Sequence, residues 1–179
     1  MRIFLLAMSR RLPNTRIMAN DSSEVEIEPT EEPTVSCRHF LLCHTVWHDP
    51  AKPEDFSLGR IVIHLHPADG VFPTTYDRLF AYGQLFGTPG EYELVIRAVR
   101  IESVGYDEEV EYDIGRDGLP VEWRPNRPVV ISGEDYADWF AVPLPRVPVP
   151  MPGVYEFQLF LAGATEPITR ERVQARVAP

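Results

Sequence analysis

Two stretches of this 179-residue chain carry the same signature, Pro89-Gly90-Glu91-Tyr92-Glu93-Leu94-Val95-Ile96 and Pro152-Gly153-Val154-Tyr155-Glu156-Phe157-Gln158-Leu159. Proline presets its own φ, and glycine readily takes the φ > 0 position that a type II turn demands. The pair therefore predicts a turn at each site, with Gly90 and Gly153 at positive φ, and a strand after it. Side chains alternate across a strand, so Tyr92, Leu94 and Ile96 fall together, as do Tyr155, Phe157 and Leu159. The glutamates and Gln158 take the opposite face, the pattern of a sheet buried on one side.

The remaining sequence is punctuated in the same way. A first strand is expected from about Cys37 to Trp47, apolar on both faces and so central in its sheet. A second, Arg60 to His66, places Ile61, Ile63 and Leu65 on one face against Arg60, Val62, His64 and His66 on the other. Further strands are expected over Leu79–Phe86, Tyr92–Ile101, Glu109–Ile114, Val129–Ile131, Tyr155–Leu161 and Glu171–Val177, with one helical turn over Gly133–Trp139. Pro143, Pro145, Pro148, Pro150 and Pro152 confine residues 141–152 to extended backbone at a sheet edge. Many short strands separated by Gly and Pro predict an antiparallel β-sandwich of about eight or nine strands, residues 35–179 forming one domain. Residues 1–34, rich in Glu, Pro and Thr, have too few large apolar side chains to repay ordering and read as a disordered tail.

The formal charge is −10, from 17 basic and 27 acidic residues. A polyanion such as duplex DNA, or an anionic lipid surface, repels such a chain, so neither nucleic acid nor membrane is expected as a partner. The apolar run Ile3–Met8 is far shorter than the ~18 residues that span a bilayer. It also falls short of a signal h-region, which argues for the cytoplasm and leaves Met18 as an alternative start. On one extended segment the α-carbons of Cys37 and Cys43 stand about 20 Å apart, whereas a disulfide needs less than ~7 Å. Both thiols are expected free, as suits a reducing compartment.

From Cys37 onward the chain resembles an uncharacterised bacterial family of small immunoglobulin-like sandwiches. The matching pieces are Ser57-Leu58-Gly59-Arg60-Ile61-Val62-Ile63, Val71-Phe72-Pro73, Pro89-Gly90-Glu91-Tyr92 and Pro152-Gly153-Val154-Tyr155-Glu156-Phe157. The resemblance implies an immunoglobulin-like fold and carries no activity with it. A tyrosine entering a strand two residues after glycine also matches the tyrosine corner of such sandwiches, whose phenol bonds back to upstream backbone. Gly90, Tyr92, Gly153 and Tyr155 are accordingly read as structural residues.

Candidate chemistry is sparse. If the first two strands form a hairpin centred near Pro53, His44 faces His64 across the ladder and His66 lies within reach, with His48 beside the first strand. Three imidazoles so placed approach a zinc geometry, although ligand spacing commits the chain to no metal and no cofactor. Asp113–Gly118, with Asp107, Glu108 and Glu109 upstream, offers oxygen ligands for Ca²⁺ at a sheet edge, but a full calcium loop needs five or more ordered oxygens and Arg116 sits in its middle, so a solvated acidic hairpin is the expectation. Pro145-Arg146-Val147-Pro148 has the form of a polyproline ligand, which an edge segment explains as well. Neither a nucleophile elbow, a phosphate loop nor a His-Glu-x-x-His helix is present, and adjacent Cys43 and His44 point to opposite faces of a strand. The expectation is a non-catalytic protein-binding or adaptor module, with a ligand- or carbohydrate-binding module using Trp47, Trp123 and Trp139 as the alternative and a histidine metal site third.

Overall fold

The computed structural model describes residues 34–49, 51–106, 108–133 and 138–178. The expected tail, apart from Thr34, lies outside the described residues, as do positions 134–137 of the expected helical turn. The last two positions of that turn, Asp138 and Trp139, instead open a strand.

The chain is all-β. Its strands are β1 (Val35–Asp49), β2 (Lys52–Ile61), β3 (His64–Leu65), β4 (Thr74–Tyr76), β5 (Leu79–Gly87), β6 (Gly90–Tyr92) and β7 (Leu94–Ser103). There follow β8 (Glu109–Asp113), β9 (Val121–Trp123), β10 (Val129–Ile131), β11 (Asp138–Leu144), β12 (Val147–Val149), β13 (Gly153–Leu161) and β14 (Thr169–Ala175). One 3-10 turn, Arg116–Gly118, is the sole helical element among the described residues. The excess over eight or nine strands comes from elements of two or three residues, too short to register as periodicity.

Four strands form one antiparallel sheet in the order β11-β5-β1-β2, with β1 central as its two apolar faces imply. A second sheet runs β3-β14-β13-β7-β8, β9 also pairing with β7, and two ribbons join β10 to β6 and β12 to β4. Both larger sheets contribute to one hydrophobic core: Leu42, Ala81 and Phe140 from the first meet Ile96, Phe157 and Val173 from the second in a single buried cluster. Each of these side chains larger than alanine gives about 1.5–3 kcal/mol on burial. Among the described residues no helix is long and apolar enough to cross a membrane.

Three expectations fail. The second expected strand is broken, because the chain leaves β2 at Ile61 and joins β14 as β3, in parallel rather than antiparallel pairing. Val62 N–H still donates to Leu42 of β1 at 2.9 Å, while Ile63 already accepts from Gln174 of β14 at 3.2 Å. With Arg60 at φ 55° the alternation resets, so Val62 is buried and Ile61 and Ile63 are 57% and 67% exposed. The inward set Ile61/Ile63/Leu65 thus reduces to Leu65.

The two turns also differ from each other. Gly90 is not at positive φ and pairs with Ile131 as the first residue of β6. Gly153 has φ 153°, an extended left-hand conformation far from the ~+80° of a type II turn. A β-branched residue tolerates that φ poorly, so Gly153→Val is expected to lower stability by more than ~1 kcal/mol in chemical denaturation. An unchanged midpoint overturns the assignment.

Candidate binding face

Directly paired residues of neighbouring strands share a face, so the register of the first sheet defines its outer surface. Leu42 of β1 pairs with Ala81 and points inward; Leu41 pairs with Tyr82, which pairs with Ala141 of β11, and all three point outward. Between Arg38 and Leu41 β1 carries one extra residue, with His39 at φ 55°, and this bulge keeps both halves of the strand in phase with β5. The outer face therefore presents Leu41, Cys43, Thr45 and Trp47 from β1, Phe80, Tyr82, Gln84 and Phe86 from β5, Trp139, Ala141 and Pro143 from β11, and Ile61 from β2.

The side chains named here are aromatic-rich and nearly uncharged. Trp47 and Ile61 are 56% and 57% exposed and Trp139 is 37% exposed. Trp139 stacks on Tyr82 at 5.4 Å with 22° between the planes, leaving Tyr82 buried. The Arg38 guanidinium lies 4.4 Å above the Phe86 ring centre, and Trp139, Gln84 and Arg38 form one row across three strands. Gly59 is small for a reason: a Cβ there would collide with the Thr45 hydroxyl and with the Trp47 indole at 2.7 Å, so the indole edge sits over Gly59 of β2. Arg38 is the one formal charge among the face residues named above.

Burial, and secondarily the nearby Cys43, push the Tyr82 phenol up to about 12. Burial likewise pushes the Cys37 thiol up to about 11 and raises Cys43. Protonated, enclosed thiols are poor nucleophiles. Both cysteines are free, as the extended spacing implies.

The outer face of the second sheet is not the solvated surface that alternation suggests. Glu156 and Gln158 of β13 are 1% and 2% exposed. Gln158 Nε2 donates to Glu156 at 2.9 Å and to Glu111 at 2.8 Å. Arg172 of β14 donates through Nε to Glu156 at 2.7 Å and through both terminal nitrogens to Glu109 at 2.9 and 2.6 Å. That guanidinium holds the Glu109 carboxyl below the usual carboxylate range. Arg97 closes the edge on Asp113 at 2.6 Å, which commits the first acid of the Asp113–Gly118 stretch. Every carboxylate named here is engaged by a cation or an amide, so the cluster is a brace across β8, β13 and β14.

The histidines are divided between the sheets. Cys43 pairs with Ile61 and Thr45 with Gly59, which puts His44 opposite Arg60 rather than His64. Its Nδ1 lies 3.2 Å from the Arg78 carbonyl. His64 and His66 sit on or beside β3 in the other sheet, their ring centres 5.9 Å apart. Among the described residues no group of three or more His, Cys, Asp or Glu is placed to hold a metal ion. The expected three-histidine geometry is thus corrected by the strand switch at Ile61–His64, while the His64/His66 neighbourhood survives.

Of the remaining singled-out residues, both tyrosines bond four residues back: Tyr92 Oη donates to the Thr88 carbonyl at 2.7 Å and Tyr155 Oη to that of Met151 at 2.8 Å. Trp123 is buried, stacked on Phe157, and donates through Nε1 to the Pro145 carbonyl at 3.0 Å. That bond ties down the proline-rich segment. A cleft of about 680 Å³ beside Thr74, Thr75, Arg116 and Pro148 presents two hydroxyls and a guanidinium with no acid–base pair. Comparison with protein-family models, with curated proteins and with solved structures returns no match for this chain.

Proposed function

We propose that this chain is a non-catalytic, immunoglobulin-like β-sandwich that binds a protein partner on the outer face of the β11-β5-β1-β2 sheet, in a cytoplasmic setting that suits its free thiols. The observation that supports this most is the aromatic surface itself. Among the residues of this face whose side chains are described none is a carboxylate, and Trp47, Ile61 and Trp139 lie open on it. Contiguous exposed apolar surface marks interaction sites, and aromatic and Arg side chains are the residues that dominate interface energetics. Of the sheet edges, β11 has Pro143 in its ladder and β3 is two residues long, so neither is suited to pairing with a partner strand.

In-cell cross-linking of wild-type protein beside Trp47→Ser and Ile61→Asp variants tests this reading. A discrete cross-linked species present with wild type and lost in both variants, whose melting temperatures stay near that of wild type, is the expected result. The same species in all three proteins, or none with wild type, overturns it.

A carbohydrate-binding reading has one observation in its favour, the row of Trp139, Gln84 and Arg38, an indole beside hydrogen-bonding groups. It predicts tryptophan fluorescence changes with oligosaccharides that vanish in Trp139→Ala.

A further inference from the structure

His64 and His66 are two residues apart on extended backbone, so both imidazoles leave the same face. Their rings meet edge to face, 5.9 Å between centres at 61°. His66 Nδ1 lies 3.0 Å from the Arg176 carbonyl of the β14 segment. A carbonyl only accepts, so this nitrogen carries the proton and His66 Nε2 presents a lone pair. Metal-bound histidines are oriented in this manner, the second ring nitrogen donating to a carbonyl or carboxylate.

His64 differs in a useful way. Its Nδ1 is buried with no hydrogen-bond partner, so the fold fixes no tautomer and the ring turns without giving up a bond. Two imidazoles bound through nitrogen at ~2.0–2.1 Å to one ion, about 90–110° apart, bring their centres to roughly 4.5–5 Å. The rings must close by about 1 Å, which side-chain rotation supplies on fixed backbone.

The geometry points to a bidentate transition-metal site at His64 and His66, independent of the sheet face on which the protein partner is placed. Its metal is an ion that favours imidazole, Cu(II) ahead of Ni(II) and Zn(II) by intrinsic affinity. With two protein ligands, water or a ligand from another molecule completes the coordination, so the site is an open one. The Arg176 side chain disfavours a cation locally, whereas the net charge of −10 favours it at long range. His44 takes no part, being held in the other sheet.

The test titrates Cu(II) into untagged full-length protein, followed by calorimetry and by electron paramagnetic resonance. Wild type and His44→Gln are expected to take up one ion with the hyperfine pattern of two imidazole nitrogens. His64→Gln and His66→Gln should each weaken binding on the order of tenfold or more, since even outer partners of metal ligands carry that much. The double variant should lose the signal. Because β3 is a short edge element, each variant is checked by circular dichroism, and Zn(II) protection of the histidines from diethyl pyrocarbonate in wild type gives a readout that needs no substitution. Unaltered Cu(II) binding in folded His64→Gln or His66→Gln, a one-nitrogen spectrum, or equal modification of His64 and His66 with and without Zn(II) overturns the proposal.

Discussion

Tyr155→Ala is expected to lower the free energy of unfolding by about 3–5 kcal/mol, and Tyr155→Phe by about 0.5–1.5 kcal/mol. The ring is fully buried beside Phe157 and Leu159 on the core face of β13, so truncation removes the transfer energy of an aromatic ring and leaves a cavity. The hydroxyl does a separate job. It donates to the Met151 carbonyl at 2.8 Å and accepts from Met151 N–H at 3.4 Å, closing the turn that feeds β13. Met151 is 45% exposed, so water replaces part of what Phe gives up, which keeps that loss near one ordinary hydrogen bond. Urea denaturation of the two variants separates packing from hydrogen bonding. Near-equal, small changes mean that the ring does not serve the core as its burial implies.

This corner was legible in the sequence because it is local. Turn, tyrosine and alternating strand lie within eight residues, and period-two patterning places Tyr155, Phe157 and Leu159 together whatever the rest of the chain does. The central position of β1 was legible for the same reason, being apolar on both faces. The failure at Arg60–His66 has an equally definite cause. Alternation assumes an unbroken strand; here a residue at positive φ reverses the faces of Ile61, Val62 and Ile63, and the change of sheet then turns Leu65 back to the core. Nothing within those seven residues announces that Gln174, over a hundred positions away, supplies the next hydrogen-bond partner.

The binding face was legible only in part. Trp47 and Trp139 stood out by type, but their meeting on one surface depends on β11 and β1 flanking β5, a long-range pairing that no spacing encodes. The bulge at His39 is equally silent, although without it Arg38 and Leu41 would not share the outward side. The metal geometry shows the reverse error. The hairpin turns beside Ala51 with a register shift between His48 and Asp49, which together put Arg60 rather than His64 opposite His44, and the strand switch takes His64 out of that sheet altogether.

Glu156 carries the other large expected effect, and it too depends on pairing. Read along β13, Glu156 and Gln158 look like a solvent face; read across to β14, the Arg172 opposite Glu156 turns them into a buried brace. Removing one partner of a buried ion pair costs about 3–5 kcal/mol, because the other charge is left uncompensated. Arg172→Met leaves Glu156 with Gln158 at 2.9 Å and Arg170 at 3.6 Å, and Arg172 itself is half-exposed. The expected loss is therefore nearer ~2–3 kcal/mol. Replacing both members, Glu156→Leu with Arg172→Met, removes the orphaned charge and should recover much of that loss, a coupling on the order of 1–3 kcal/mol in a double-mutant cycle. Arg124→Met provides the contrast. Its pair with Glu122 is 3.5 Å long and exposed on both sides, so its cost should be at most about 1 kcal/mol. Equal small losses for Arg172→Met and Arg124→Met, or simple additivity in the cycle, would show that the Glu156 carboxylate does not rely on Arg172 and that the outer face of the second sheet is held by its aliphatic residues, Val95, Val99 and Ile101, instead.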